Sequence, residues 1–564
     1  MNDSAPTPEA ISLPLRVIPL GGVGIFGMNC TVLEYGGHMI MVDAGFKIPQ
    51  GNYPGVDLIL PDFTYVLENL DRLKAIFLTH GHDDHIGSLP YLLRQVDVPV
   101  YGTALTLALV RERLTDSSGN GPPVDGDLRQ IMFRDPVTCG PFNIEAVRVA
   151  HSIPDGAALI IRTPVGIVVH SGDYKMDQAP IDGNPTDLAG LAKAGEMGVL
   201  LLMSDSTNAD RPGFTRPEAE VGRVIEDLMR QAPGRVFIAT FASHIHRIQQ
   251  ILNAAEACGR KAVVEGRRMI GNSRLASDLG YLHVPSDVLI SMDNAGEQEA
   301  GKLVYLVTGS QGEPMSALSR IARGEHSGVK VGNGDTVIFS SRIIPGNELA
   351  AGSMIDGLFR AGARVYYQGS PMVHVSGHGS AEEIKLMINA VKPRFFIPLH
   401  GDYRQLVACS RLAQQVGIEK ERIFILDPGQ VLEFSEDTAF MGASVPAGRM
   451  LVDGDLVTDL GSPLMKERRR LAREGLVVVV ASLSARGEPG SIAPSVHSVG
   501  VGLEESSRSL DREAEAVAKN FIRDWRSPPS SIEELREEIR IGVRAVYRRA
   551  LQKKPMVIPV LVEE

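Results

Sequence analysis

The stretch Thr79-His80-Gly81-His82-Asp83-Asp84-His85 constrains this chain more than any other. Three imidazoles and a carboxylate fall within six residues, directly after the apolar run 75–78. Imidazole nitrogen and carboxylate oxygen are ordinary zinc ligands. A tight turn of six residues cannot wrap all four groups around one ion, so two ions sharing the cluster is the easier geometry. The remaining ligands must then arrive from elsewhere, and the same placement recurs at the ends of other apolar runs. His151 follows 144–150, Asp173 follows 166–170, and His400 follows 394–399. With only 14 histidines in 564 residues, three in one short window are not a chance of composition.

The rest of the chain alternates short apolar runs with helical stretches, which predicts a layered α/β architecture. Strands are expected at 16–20, 39–42, 75–79, 144–149, 166–170, 199–203, 235–240, 302–307, 336–340, 364–367 and 394–398. Helices are expected at 88–96, 217–231, 245–258, 315–323, 348–361 and 381–391. At 564 residues the chain is too long for one core. Residues 1–14 read as a flexible tail without the basic start and apolar stretch of a signal peptide. A first α/β domain is expected over 15–209, an inserted α/β domain over 210–371, and a return to the first domain over 372–448. A linker (449–463) would lead to a small α+β domain over 464–564. That domain is expected to hold a basic helix (464–474), a very apolar strand (476–483), two amphipathic helices (504–523 and 531–553) and a final strand (556–562).

The four cysteines, Cys30, Cys139, Cys258 and Cys409, lie far apart, which argues against a disulfide framework and cysteine-bound zinc and fits a reducing cytoplasm. No apolar run reaches the roughly 20 residues that span a bilayer. The formal net charge of −11 counts against sequence-blind nucleic-acid binding over the whole surface and leaves room for a local basic groove.

The HxHxDH motif followed by a spaced His, Asp and His resembles the metallo-β-lactamase fold. The resemblance implies a four-layer αββα sandwich with two metals at one sheet edge. His80, His82 and His151 would hold one zinc, Asp84, His85 and His400 the other, and Asp173 would bridge. Mn²⁺ or Mg²⁺ are possible substitutes. Asp43, in Val42-Asp43-Ala44-Gly45, matches an early strand-end Asp that orients a ligand. The long segment between Asp173 and His400 resembles the β-CASP group, and within it the ribonuclease J family, over nearly the whole chain. The motifs that carry this are Ser204-Asp205-Ser206-Thr207-Asn208, Thr240-Phe241-Ala242-Ser243 with His246-Arg247, Thr308-Gly309-Ser310-Gln311-Gly312-Glu313-Pro314, Ser340-Ser341-Arg342 with Pro345-Gly346-Asn347-Glu348, and His374-Val375-Ser376-Gly377-His378-Gly379.

That resemblance implies hydrolysis of RNA phosphodiesters to leave 5′-phosphates, with Asp205 and His378 as catalytic residues for the leaving oxygen. Ser243, His244 and Ile245, with His374, Val375, Ser376, Gly377 and His378, match a pocket for a substrate phosphate. It further implies 5′→3′ exonuclease action favouring 5′-monophosphate ends, endonuclease action, single-stranded mRNA and rRNA precursors as substrates, and a homodimer or homotetramer assembled through the C-terminal domain. Asp57 and Asp453 match positions of a structural Ca²⁺ in some members. The chain departs from the pattern at Ile25, in Gly21-Gly22-Val23-Gly24-Ile25-Phe26-Gly27, where an acidic residue is expected; no ligand is lost. The basic stretch 466–473 reads either as a solvated helix face or as an RNA or subunit contact. Three other readings compete. A small-molecule hydrolase would not need an insertion of about 160 residues, which is suited to covering a strand in a channel. An inactive partner subunit would have lost metal ligands, whereas all seven are present. A DNA-acting β-CASP nuclease differs through 2′-OH contacts that sequence does not reveal.

Overall fold

The computed structural model describes residues 13–49, 53–115, 123–313, 315–344, 347–367, 369, 371–435, 437–454, 456–483, 493–502, 504–525 and 531–563. Most of the expected tail, together with Pro314, Pro345 and Gly346 of the quoted motifs, lies outside the described residues. The chain divides into two compact units, one of residues 1–49 and 57–457, the other of residues 50–56 and 458–564.

The first unit is built on two facing sheets. One has eight strands in the order Ala439–Met441, Leu432–Phe434, Leu15–Gly21, Cys30–Tyr35, His38–Val42, Leu73–Phe77, Val100–Gly102, Leu128–Gln130. The other has six, in the order Phe395–Leu399, Val199–Asp205, Ile167–His170, Ala157–Arg162, Phe142–Arg148, Val137–Cys139. Leu15, Val17, Ile40 and Phe77 of the first meet Phe142, Leu159, Leu201 and Phe395 of the second in a shared core. The alternate residues face outward into further apolar layers. Ile160, Val169 and Leu202 pack on Leu191, Ile384 and Cys409, which lie on the helices Leu188–Glu196, Ala381–Val391 and Tyr403–Gln415. Ile18, Val32 and Ile76 pack on Leu89, Leu105 and Val110. This is the αββα sandwich. Because both faces of its central strands are buried, they read as unbroken apolar runs rather than alternating ones.

The insertion forms its own sheet of five parallel strands, Lys261–Glu265, Leu303–Val307, Val236–Ala239, Thr336–Phe339 and Arg364–Tyr366. Helices flank it on both faces, as parallel strands require. The second unit carries a three-stranded sheet in which Leu476–Leu483 pairs parallel with Met556–Glu563 and antiparallel with Ser495–Val499. Val477, Val479 and Ala481 turn inward against Ala518, Ile539, Val543 and Tyr547 of two long helices. In the same unit, part of the basic stretch lies against its neighbours: Arg468 donates to the Gly55 carbonyl at 3.2 Å and Arg469 covers the Tyr53 ring.

Several expectations need correction. The expected linker 449–463 begins as a strand, Arg449–Asp453, paired antiparallel with Leu58–Pro61. Leu451 and Val452 are buried there, held by a partner almost 400 residues away that local composition cannot announce. The helix expected at 88–96 is one turn, Leu89–Leu92, with Pro90 in its first positions. The helices Ala104–Thr115, Leu188–Glu196, Arg267–Asp278 and Tyr403–Gln415 and the strands Cys30–Tyr35, Ala157–Arg162 and Lys261–Glu265 were not expected.

Candidate metal centre

The sandwich delivers its polar residues to one edge by ending strand after strand there. Asp43 follows His38–Val42, His80 follows Leu73–Phe77, His151 follows Phe142–Arg148, Asp173 follows Ile167–His170, Asp205 closes Val199–Asp205, and His400 follows Phe395–Leu399. Two of these positions bend the backbone sharply. Asp43 and His400 adopt φ of 61° and 52°, a left-handed conformation uncommon outside glycine. His82 leads into a short turn of helix, Asp83–Ile86, which carries Asp84 and His85. The loop sits so close to 43–46 that a Cβ on Gly45 would fall 1.6 Å from the Asp84 carbonyl oxygen.

The ligating atoms form three overlapping groups: His80, His82, His151 and Asp173; Asp84, His85 and His400; and Asp173, Asp205, His378 and His400. His80 Nε2 lies 3.0 Å from His82 Nδ1, and His82 Nδ1 lies 3.2 Å from His151 Nε2. Asp173 Oδ2 completes this group at 3.6 Å from His80 Nε2 and 3.8 Å from His151 Nε2. In the second group His400 Nε2 is 3.0 Å and His85 Nε2 3.8 Å from Asp84 Oδ2. The same Asp173 oxygen is 3.2 Å from His85 Nε2. A tetrahedral ion with ligand bonds of 2.0–2.1 Å separates its ligand atoms by about 3.3 Å. The distances scatter about that spacing, so the donor set fits divalent metal, with Asp173 within 3.2–3.8 Å of imidazoles from both clusters.

Buried partners fix which nitrogen each imidazole presents. His85 Nδ1–H donates to Asp43 Oδ2 at 2.8 Å, and Asp43 also accepts from Thr79 N and Thr79 Oγ1. His151 Nδ1–H donates to the Gly377 carbonyl at 2.7 Å. A Cβ on Gly377 would stand 2.8 Å from the His151 ring, so only glycine permits this approach. Thr207 Oγ1 donates to the His400 carbonyl and accepts from His400 Nδ1 at 2.7 Å. Such outer partners hold ligand rings in place and raise their basicity. Thr79 and Thr207 were not singled out from sequence, and neither was Asn29, whose amide lies 3.0 Å from His85 Nε2. Phe26 packs its ring 4.8 Å from that of His400. Ile25 is buried beside it in a bridge to Gly401, so an apolar side chain suits the place where an acid was expected.

The charges divide along the first two groups. Burial, then the neighbouring His85, pushes His80 well below its ordinary value; burial does the same to His151 and takes His82 to about 4. These three present neutral lone pairs. Burial also opposes charge on His85 and His400, but Asp173 with Asp43 and Asp84 outweighs it at His85. At His400, Asp173, Asp205 and Asp84 raise the value to about 10. Burial likewise opposes ionisation of Asp84, Asp173 and Asp205, and the facing imidazoles still hold all three carboxyls below their usual range.

In the third group, His378 Nδ1–H donates to Asp205 Oδ2 at 2.7 Å. Its ring stacks on that of His400 at 5.3 Å and 19°. The turn 374–377 adjoins it. Ser376 Oγ accepts from the His378 amide and from Asn208 Nδ2 at 2.8 Å. His244 and Ile245 are buried. His244 caps the helix Ile245–Ala257, accepting from Arg247 N, so its side chain turns inward. It thereby joins a buried ionic junction. Arg247 is fully buried and bonds Glu218, Gln250, Ser340 and the Val373 carbonyl. Lys175, two residues past Asp173, lies 3.0 Å from Asp177 and 3.7 Å from Glu218. This junction ties the metal edge, the inserted domain and the segment leading into the 374–377 turn together. Asp57 and Asp453 sit near one another, with Asp57 Oδ2 accepting from Gly454 N. Among the described residues no group of three ligating side chains forms there.

Comparison with known proteins follows this division. The metallo-beta-lactamase superfamily matches residues 23–208, the ribonuclease J beta-CASP domain 233–358, the Zn-dependent metallo-hydrolase RNA specificity domain 362–425, and the ribonuclease J C-terminal domain 463–564. Ribonuclease J of Thermus thermophilus is 40% identical, covering 97% of this chain and 95% of its own. Ribonuclease J2 of Bacillus subtilis is 39% identical, covering 97% and 98%. Ribonuclease J of Mycobacterium tuberculosis is 40% identical, covering 100% and 99%. Among solved structures, a protein of unknown function from Enterococcus faecalis shares the fold, with TM-score 0.54 at 17% identity over 75% of this chain and all of that one. Among the described residues no helix is long and apolar enough to cross a membrane. With two domain-specific matches, near-complete coverage by relatives about 40% identical and the ligand geometry above, the chain belongs to the ribonuclease J family of metallo-hydrolases.

Proposed function

We propose that the chain is a metal-dependent ribonuclease that cuts single-stranded RNA, including mRNA and rRNA precursors, to leave 5′-phosphates. The observation that carries this reading is the joint placement of overlapping His and Asp ligand groups around Asp173 with the Asp205–His378 pair among them. His80, His82, His151 and Asp173 would hold one divalent ion, and Asp84, His85, His400 and Asp173 the other, with Zn²⁺ favoured by the N/O donor set and Mn²⁺ or Mg²⁺ as alternatives. Bound there, such ions supply positive charge for the phosphodiester and a nucleophile from water at neutral pH.

The protein's own groups do the rest. Asp205 remains a carboxylate and accepts from His378 Nδ1–H, which orients His378 Nε2 as the carrier of the proton that the leaving 3′-oxygen needs. Asp43, Thr207 and the Gly377 carbonyl keep His85, His400 and His151 in the tautomers that present Nε2. Ser243, His244 and Ile245 with the turn 374–377 would receive a 5′-phosphate, chiefly through the Ser243 hydroxyl and the backbone of the turn, since the His244 and Ile245 N–H groups are already given to the Phe241 and Ser243 carbonyls. A terminal phosphate held there sets a fixed step from the metals, giving 5′→3′ exonuclease action that favours 5′-monophosphate ends. Endonuclease action follows where RNA enters without a free end. The enzyme would work in the cytoplasm as a homodimer or homotetramer.

The test is cleavage of a labelled single-stranded RNA bearing a 5′-monophosphate or a 5′-triphosphate, with Zn²⁺ or Mn²⁺, DNA of the same sequence and His80→Ala as controls. Mononucleotides released from the monophosphate RNA, and not by the variant, are the expected outcome. Internal cuts that ignore the 5′ end would remove end sensing, and absence of metal-dependent RNA cleavage would sink the ribonuclease reading.

A further inference from the structure

His374, Val375 and Ser376 form one wall of a cavity of about 640 Å³ between the sandwich and the inserted domain. That volume lies within the roughly 300–1,000 Å³ of pockets that take small organic ligands. Arg211, Arg216 and Arg342 line it, and among the described residues no Asp or Glu does. In a chain of net charge −11 that is a marked local excess. Arg216 is neutralised by Glu220 at 2.7 Å. Among the described residues Arg211 and Arg342 form no ion pair; partial burial and the neighbouring Arg211 lower Arg342 from its ordinary value, and Asp210 offsets this in part. Both are exposed to solvent at the cavity rim, where two guanidiniums without a bonded carboxylate offer donors and charge to an anion.

A second observation points the same way. Ser341, 4% exposed and lining the cavity, has its hydroxyl without a hydrogen-bond partner. Asn208 lines it too, and while its amide nitrogen is engaged by Ser376 and the His378 carbonyl, its Oδ1 has no partner. His374 Nδ1 is also unpartnered. Buried polar atoms are seldom left unmatched. A hydroxyl donor and guanidiniums suit phosphate oxygens, and an amide oxygen suits a ribose hydroxyl. Phe214, 62% exposed on the same wall, offers a face for a base.

We propose that Arg211, Arg342 and Ser341 form a second anion subsite, separate from the expected phosphate turn, that holds a further phosphate of a ribonucleotide. That the ligand is RNA rests on the ribonuclease reading. The phosphate has two possible sources, a 5′-polyphosphate end or the next phosphodiester along the strand.

Calorimetric binding of uncleavable ligands to the metal-loaded full chain distinguishes them. Uridine 5′-monophosphate is the reference, uridine 5′-diphosphate mimics the polyphosphate end, and uridine 3′,5′-bisphosphate mimics the backbone. One of the two-phosphate ligands is expected to bind about tenfold tighter than the monophosphate or better, the scale of charge-assisted contacts. The gain should vanish in Arg211→Gln/Arg342→Gln, shrink in Ser341→Ala and return in part in Arg211→Lys/Arg342→Lys, with monophosphate binding unchanged. A gain with the diphosphate assigns the end; a gain with the bisphosphate assigns the backbone. No gain with either ligand, or a gain that survives the double substitution, overturns the subsite. RNA cleavage reports separately. An arginine-dependent gain in a chain that cuts no RNA keeps the subsite and removes the ribonuclease reading; cleavage without such a gain does the reverse.

Discussion

Two buried clusters of charge lie within one compact unit, and they are built on opposite principles. In the junction around Arg247, two cations meet two anions, Lys175 and Arg247 against Asp177 and Glu218, and the guanidinium is saturated with acceptors. Its charges answer one another inside the protein. In the metal centre, by contrast, lone-pair atoms crowd to 3.0–3.8 Å around two points, and the hydrogens of His85, His151 and His400 are committed outward to Asp43, Gly377 and Thr207. A closed charge set stabilises an arrangement of domains; an open one selects a ligand.

The sharpest way to break this comparison is to open the closed set. Glu218→Ala leaves Arg247 and Lys175 buried without their shared carboxylate. Removing one partner of a buried pair costs about 3–5 kcal/mol. Urea unfolding followed in the presence of metal should show that loss, and excess metal should not reverse it. A loss below about 1 kcal/mol would mean the junction does not bind the domains together.

At the open set the matching change is smaller and of another kind. Asp43→Asn keeps a side chain that tolerates the left-handed backbone at this position but removes the carboxylate that accepts from His85 Nδ1–H and Thr79. Loss of such a supporting acceptor lowers metal affinity by about 10–100-fold. Competition with a chelator should report it. Unchanged affinity would show that the tautomer of His85 does not depend on Asp43.

The two clusters also differ in how far sequence announces them. The metal centre was legible because its ligands obey a local rule: each stands where an apolar strand stops, and three stand in one turn. The αββα sandwich followed from that motif by resemblance more than from periodicity. The strand Ala157–Arg162 is buried on both faces except at its end and shows no alternation to read. The junction was not legible as a junction. Lys175, Glu218 and Arg247 come from three segments; Arg247 stood in a quoted motif, but nothing in the sequence paired it with Lys175 or Glu218. Thr79 and Thr207 were hidden for a related reason, since a threonine beside a ligand has no spacing of its own. The strand Arg449–Asp453 was read as linker because its partner, Leu58–Pro61, lies at the other end of the unit's sequence.

His244 tests the closed set from the side of protonation. Burial, then the cationic neighbour Arg247, holds its imidazole well below the ordinary value. Its Nδ1 accepts from Arg247 N at the start of the helix Ile245–Ala257, so the neutral ring serves the fold. The unfolded chain binds a proton at this residue below about pH 6.5, and the folded chain does not until far lower pH. Stability from this group is therefore fully present above pH 6.5 and is lost as pH falls, by about 1.4 kcal/mol per unit, the linkage of one proton. His244→Asn removes the titrating ring and keeps an oxygen able to cap the helix. The two proteins should be nearly equal in stability at pH 7.5, and the wild type should fall progressively behind the variant between pH 6.5 and 5. Using the difference between them cancels every other histidine, the metal ligands included. Parallel stability curves over that window would mean that His244 takes up its proton in the folded state, and that the junction is less closed to charge than its hydrogen bonds imply.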